Sequence, residues 1–439
     1  MLAPLYTADE MGAAEAGHDV AEMMELAGRG VAEAILRRYP DAQRIACVCG
    51  GGANGGDGRI AARVLRQAGR EAAEELVEGA HLIVDALFGT GFHGAPRRAA
   101  AELIERMNGA GVPVVAVDVP SGVDASTGEV AGAAVRAELT VTMHAPKVGL
   151  AVAPGRFHAG EVEAVSIGIA HDETRNRAVT DGILGLVPRR DVEDNKYTAG
   201  AVLVVGGAPG LTGAACLAGE AAFRADAGYV AVAVPERSLP VVEQRLLEAV
   251  KRTLDEIDEL LPRMRALAVG PGLGRGPDER ALVRRLLEGT SLPAVVDADG
   301  LFELEPFERD GPTVLTPHGG ELGRLIGESS DWVAAHRLAA LERAVDRFGC
   351  VVLLKGADTL VGAPGEGVLV HVSNEPGLAT AGTGDVLTGI VGAFLAKGMD
   401  ARLAAAAAAS AHSRAARLAP QQAGLVASDV ISLLPRALA

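Results

Sequence analysis

Arg44-Ile45-Ala46-Cys47-Val48-Cys49 runs straight into Gly50-Gly51-Gly52-Ala53-Asn54-Gly55-Gly56-Asp57-Gly58, and this junction decides the fold. A short apolar run, a glycine turn and a helical stretch together read as a buried strand feeding a helix. The pattern recurs at Leu82 to Ala86, Pro113 to Val117 and Leu139 to Met143. It weakens over the polar stretch His171 to Asn195, then restarts. Ala201 to Val205, Tyr229 to Val234, Ala266 to Val269, Ala294 to Asp297, Thr313 to Leu315 and Val351 to Leu354 are the later strands. Such alternation predicts an α/β protein of parallel sheets with helices on both faces. Residues 1–180 and 181–439 are expected to be separate domains, since 439 residues exceed one ordinary core. A helix from about Ala21 to Arg38 puts Met24, Gly28, Val31 and Ile35 on one face. Three helices, Asp385 to Leu395, Ala401 to Ala416 and about Ser428 to Leu434, close the chain.

Hydrophobic residues make up 49% of the chain but aromatics only 3%, so the cores must be built from Ala, Val, Leu and Ile. The formal charge of −16 is spread along the chain, which argues against nucleic-acid and anionic-membrane partners. The opening residues do not read as a signal peptide, and the alanine run Ala404 to Ala409 is too short to span a bilayer. The four cysteines, Cys47, Cys49, Cys216 and Cys350, read as buried thiols in a reducing cytoplasm.

In open parallel sheets, ligands gather at the carboxyl ends of strands. Four motifs of the second half fall there: Gly270-Pro271-Gly272-Leu273-Gly274, Asp297-Ala298-Asp299-Gly300, Thr316-Pro317-His318-Gly319-Gly320-Glu321 and Lys355-Gly356-Ala357-Asp358-Thr359. Each alone is an even bet as an ordinary turn; four in succession are not. The strongest element is Ala381-Gly382-Thr383-Gly384-Asp385, whose glycines admit a ligand to the start of a helix that suits a phosphate. Asp385 is either a helix-start carboxylate or a base beside a transferring phosphoryl group. Lys355 is either a phosphate contact or a strand-end lysine. In the first half, Asp85 to Gly91, Asp118 to Asp124 and Pro146 to Leu150 join the Gly50 to Gly58 turn. Asn54, Asp85 and Ser121 offer oxygen atoms to a hard cation, monovalent or divalent, or Asn54 and Ser121 are simply turn formers. Lys147 is a candidate acid/base partner of Asp118.

The second-half constellation resembles the ribokinase-like superfamily. Asn195-Lys196-Tyr197, Val204-Val205-Gly206-Gly207, Thr212-Gly213-Ala214-Ala215, Thr316-Pro317-His318 and Gly377-Leu378-Ala379-Thr380 narrow this to a resemblance with ADP-dependent NAD(P)H-hydrate dehydratases. The first-half motifs, with Met23-Met24-Glu25-Leu26-Ala27-Gly28, resemble the NAD(P)H-hydrate epimerase domain, which is fused in front of the dehydratase in that family. The resemblance implies a Rossmann-like front domain and a ribokinase-like sandwich behind it. It implies epimerisation of the R and S hydrates of NADH and NADPH, then dehydration of the S form with ADP. It implies potassium at Asn54, Asp85 and Ser121. The hydrate would meet Ala53, Asn54, Gly55, Gly56, Asp57, Gly89, Thr90, Gly91, Phe92, His93, Gly94, Ala95 and Asp118 in front. Behind, it would meet Ala214, Gly274, His318 and Asp385. The adenine nucleotide, with Mg2+, would lie at Lys355, Gly356, Ala357, Asp358, Thr359 and Gly384. The family also suggests a homo-oligomer. Two departures stand in the front half. Ala53 replaces the usual Asn, and Gly69 to Ala80 is very short, with room at Glu71 to Glu78 for little more than two helical turns where the family has an extra strand and helix, so an edge strand is expected to be lost. Other classes stay open: a small-molecule kinase of the same superfamily, and a front half that only binds or oligomerises.

Overall fold

A computed structural model describes residues 2–170 and 173–439. His171 and Asp172, where the polar junction is expected to begin, lie outside the described residues. Pro4–Arg177 make up most of one compact unit; Ala178–Val333 and Ala339–Ala439 make up most of the other.

The front unit is built on six strands in the order Glu71–Ala73, Arg44–Cys49, Leu82–Ala86, Val114–Val117, Leu139–Met143, Glu161–Val165. Every pairing is parallel. The inner strands Leu82–Ala86, Val114–Val117 and Leu139–Met143 are buried along their whole length, as layers of helix on both faces require. The Asp19 carboxylate starts the helix Val20–Arg38 by accepting from the Ala21 and Glu22 N–H groups. Its buried face carries Met23, Ala27, Gly28, Val31 and Ile35. Met24, expected on that face, is instead half-buried with its methyl over Gly56, where a Cβ would come within 2.0 Å of it. Gly28 lets this helix press on Ala53–Gln67: a Cβ there would lie 2.5 Å from Ile60. Cys47 and Cys49, two apart in one strand, face the same core, and burial pushes the Cys47 thiol up to about 12.

The shortened stretch behaves differently from expectation. The edge strand survives as three residues, Glu71–Ala73, paired in register with Arg44, Ile45 and Ala46. What is missing is a crossover helix. Residues 74–81 can span about 29 Å at most, which suffices because the strand they leave is so short. Leu76, Val77 and Ala80 pack where a helix would, against Ala46, Val48 and Ile83.

Nine consecutive strands of the second sheet run Leu369–Val372, Asp358–Gly362, Val351–Leu354, Thr313–Leu315, Ala294–Val296, Ala266–Val269, Ala201–Val205, Tyr229–Val234 and, at the edge, Val250–Thr253. All pair in parallel except the hairpin of Asp358–Gly362, which is antiparallel to both its neighbours. Only Lys355, Gly356 and Ala357 form the turn expected of Lys355 to Thr359; Asp358 and Thr359 open the hairpin strand and are buried. The helices Thr383–Ala396 and Ala401–Arg417 are buried on nearly every side, and Ala404 to Ala409 all sit in the core. Among the described residues no helix is long and apolar enough to cross a membrane.

Helix Thr383–Ala396 packs on Thr212–Arg224 so closely that a Cβ on Gly389 would lie 2.2 Å from the Ala218 carbonyl. Gly389→Ala is expected to destabilise by about 1–3 kcal/mol, outweighing a helix-propensity gain of about 1 kcal/mol. Gly289→Ala, with open space around it, gives no loss. Urea midpoints of the two variants against the parent check this.

Candidate active sites

Both sheets reverse their strand order once, and the motifs collect at the carboxyl ends beside that reversal. In the second sheet it lies between Ala201–Val205 and Ala266–Val269. Their loops are stitched together there: Gly207 N–H donates to the Pro271 carbonyl at 2.9 Å and Ala208 N–H to Gly272 at 2.7 Å. Gly270, Gly272 and Gly274 all have left-handed φ, which the tight path needs. Gly272 abuts Ala214 in the first turn of Thr212–Arg224. Gly274 N–H donates to Asp299 at 3.0 Å.

The charged centre is Lys355. Its ammonium donates to Asp297 Oδ1 at 2.7 Å and lies 3.9 Å from Glu321. Thr388 donates to the other Asp297 oxygen at 2.7 Å. Burial works against the Lys355 ammonium, but Asp297, Glu321 and Asp385 hold its pKa above the ordinary lysine value. Gly382, at φ 90°, turns the chain into the helix, and a Cβ on Gly384 would sit 3.5 Å from the Lys355 ammonium. Asp385 follows. Burial, then Asp297, pushes its carboxyl up; Lys355 opposes, Asp299 and Glu321 add, and the result is about 7. His318 caps the helix Gly319–Ile326: its Nδ1 accepts from Gly320 N–H at 3.0 Å, and its Nε2 lies 3.4 Å from Glu321. Gly274, His318, Lys355, Gly384 and Asp385 are thus linked through Asp297, Asp299 and Glu321.

In the front sheet the reversal lies between Arg44–Cys49 and Leu82–Ala86. Ala53 to Asp57 form the first turn of Ala53–Gln67, with Asn54, Gly55 and Asp57 buried. Asn54 Nδ2 donates to the Phe88 carbonyl at 2.7 Å, and Ser121 Oγ accepts from Phe88 N–H at 2.8 Å. Asp85, fully buried, takes the Ser121 hydroxyl at 2.6 Å and the Ser121 N–H at 2.8 Å. Burial pushes Asp85 up to about 6 despite these donors. Asn54 and Ser121 therefore both bind the Phe88 backbone, and Asp85 joins them through Ser121. They form an oxygen-rich set with a single carboxylate and no side-chain cation among its hydrogen-bond partners, which fits a singly charged hard ion. The Gly89 to Ala95 loop leads away from this point, with Phe92 stacked on Phe88 and His93 Nδ1 2.7 Å from Asp124.

Asp118, at the end of Val114–Val117, holds a left-handed φ of 67°. Its Oδ1 accepts from Lys147 Nζ at 2.5 Å, Thr142 Oγ1 at 3.1 Å and Met143 N–H at 3.2 Å. Lys147 is fully buried and also donates to Thr142 and to the Met143 carbonyl. Glu15, Thr142, Asp297, Asp299, Glu321 and Thr388 were not among the residues singled out from sequence for chemistry. The carboxylates at 297, 299 and 321 stand inside quoted strand-end motifs, and that position was the available signal. Glu15 and the two threonines sit on ordinary helix and strand positions and carry none.

Lys355→Met would leave Asp297, only 1% exposed, with a single hydroxyl partner. The expected cost is about 3–5 kcal/mol, and adding Asp297→Asn should recover part of it; denaturation of the single and double variants checks this.

The NAD(P)H-hydrate dehydratase family matches residues 202–436. The family of the YjeF-related protein N-terminus matches 20–74 and 70–149, so its match breaks where this chain is shortened. The bifunctional NAD(P)H-hydrate repair enzyme of Moorella thermoacetica is 36% identical, covering 94% of this chain and 91% of that one. The Escherichia coli enzyme of that name is 34% identical over 94% of this chain and 89% of its own. The ADP/ATP-dependent NAD(P)H-hydrate dehydratase of Bacillus subtilis, co-crystallised with ATP and Mg2+, superposes with a TM-score of 0.55 at 29% identity. It covers 59% of this chain and 96% of the other. A ribokinase-like superfamily protein of Enterococcus faecalis gives 0.54 at 24%, covering 61% and 98%, which supports the same sandwich fold. With both halves matched in order and nearly the whole chain aligned, the chain belongs to the bifunctional NAD(P)H-hydrate repair enzyme family.

Proposed function

We propose that this protein restores NADH and NADPH from their hydrates in two steps. The front unit interconverts the R and S hydrates, and the back unit dehydrates the S form at the expense of ADP. The observation that carries this is the pairing, in one chain, of two strand-end sites that match the two halves of the repair family in the same order.

In the back site the nucleotide phosphates lie toward Lys355, Gly356, Ala357 and Gly384, against the N–H groups that open the helix Thr383–Ala396. Asp358 and Thr359 serve from the hairpin behind them. The hydrate lies over Ala214, Gly274 and His318. Asp385 takes the proton of the ring hydroxyl as its oxygen attacks the terminal phosphoryl group and AMP leaves. The carbon–oxygen bond then breaks with both electrons on phosphate. Loss of a proton from the neighbouring carbon closes the double bond. Among the described residues no cluster of three or more His, Cys, Asp or Glu is arranged to hold a metal. Mg2+ bound with the nucleotide would neutralise phosphate charge. In the front site Asn54, Asp85 and Ser121 hold potassium, which supplies a fixed positive charge. The hydrate lies along Ala53 to Asp57 and Gly89 to Ala95 and meets Asp118, which Lys147 orients.

Asp385 must be ionised to act as a base, and its carboxyl sits at about 7. The dehydration rate is therefore expected to rise with pH through that value and to level off above it. Asp385→Asn should lower kcat on the S hydrate by roughly 10²–10⁴-fold and abolish the pH dependence. Recovery of reduced-nicotinamide absorbance is the readout. Accumulation of a phosphorylated product without that recovery would instead mark a kinase.

Replacing potassium by tetramethylammonium is expected to slow R-to-S conversion while leaving dehydration of pure S hydrate at its full rate. Asp85→Asn should raise the potassium concentration needed by on the order of 10–100-fold. Equal conversion in both salts would argue against the cation site.

A further inference from the structure

We propose that Asp57 is the proton carrier of the front site, and that Asp118 and Lys147 form a fixed charge pair that orients the substrate without exchanging protons. The inference rests on the epimerase reading of this unit.

The two aspartates are in opposite hydrogen-bonding states. Asp118 Oδ1 takes three donors, one of them an ammonium. The Lys147 ammonium is fully committed: it donates to Asp118, to Thr142 at 3.0 Å and to the Met143 carbonyl at 2.8 Å, with its side chain wholly buried. It keeps no N–H for a ligand. Asp57 is 8% exposed, and its Oδ1 is buried with no hydrogen-bond partner. A buried carboxyl oxygen without a donor is unfavourable in the free protein and is relieved when a ligand hydroxyl reaches it. The charged groups bearing on Asp57 are Asp118 from the end of Val114–Val117, Glu15 from the helix Ala8–Glu15, and Lys147 from the turn after Leu139–Met143. Burial, then Asp118 and Glu15, pushes the Asp57 carboxyl up to about 7 against the pull of Lys147. The back site has the same division. Asp297 is held by Lys355 and Thr388, while Asp385 remains the carboxyl near 7.

The step balances without an oxidant or reductant. Protonated Asp57 gives its proton to the hydroxyl oxygen of the hydrate. The carbon–oxygen bond breaks with both electrons going to oxygen, and water forms. The ring nitrogen lone pair makes a carbon–nitrogen double bond. Water then adds to the opposite face, using an oxygen lone pair for the new bond, and returns one proton to the Asp57 carboxylate.

The test uses the full chain with potassium and no ADP, and follows R-to-S conversion by chromatography. Asp57→Asn should lower kcat by about 100-fold or more, leave KM within about threefold, and remove the pH dependence around neutrality. Asp57→Glu should keep a pH-dependent residual rate. With ADP added, Asp57→Asn should still dehydrate pure S hydrate at the parent rate, which shows an intact chain. Parent-like kcat and pH profile in Asp57→Asn would overturn the inference and leave the epimerase reading standing. A parent chain that does not accelerate the interconversion beyond its spontaneous rate would overturn both.

Discussion

A lysine buried at the end of a parallel sheet has to be met by a carboxylate, and in each unit the site is organised around that contact. Lys147 on Asp118 is an ion pair held away from bulk water, and the half-buried Lys355 meets the buried Asp297. A buried charge without its partner costs several kcal/mol, so the strand ends, the turns behind them and the helix starts opposite are fixed relative to one another. Asp118 shows how strongly. Its left-handed backbone is a strained state for a residue with a side chain, and three converging donors on one oxygen hold it there. In the back unit the same constraint reaches into the helix Thr383–Ala396, because Thr388 binds the second oxygen of the aspartate that Lys355 holds.

Once one aspartate is satisfied, the neighbouring one is left to desolvation and like charge. Asp57 and Asp385 occupy that position at the starts of two unrelated helices, and both carboxyls lie near 7. Two carboxylates whose environments drive them apart can divide the work of holding charge and moving protons. Nothing in the two sequences around them is alike beyond a glycine pair and an aspartate, so the likeness is one of physics at a strand-to-helix turn.

Much of this was legible in the residues. The inner strands are short, mostly apolar runs, and the turn motifs after them mark the carboxyl ends. What was not legible depends on tertiary contacts. The hairpin strand Asp358–Gly362 carries polar residues that read as a loop, and only its pairing with Leu369–Val372 makes it a strand. The helical spacing puts Met24 on the apolar face, yet Met23 enters the core and Met24 stays half-buried with its methyl over Gly56. His318 reads as a substrate contact, yet its Nδ1 is committed to capping its own helix. Asp297 stands in a strand-end motif, but the lysine that gives it its role lies 58 positions away.

The short connection at residues 74–81 joins the edge strand Glu71–Ala73 to Leu82–Ala86 and packs on Ala46, Val48 and Ile83. It is covered by three modest side chains and contributes no residue to the site. Chain length is therefore free to change there without retuning the chemistry. The same spot is where a fluorescent reporter or an affinity peptide could be spliced into the protein, giving it a handle that leaves both termini and both reaction centres as they are.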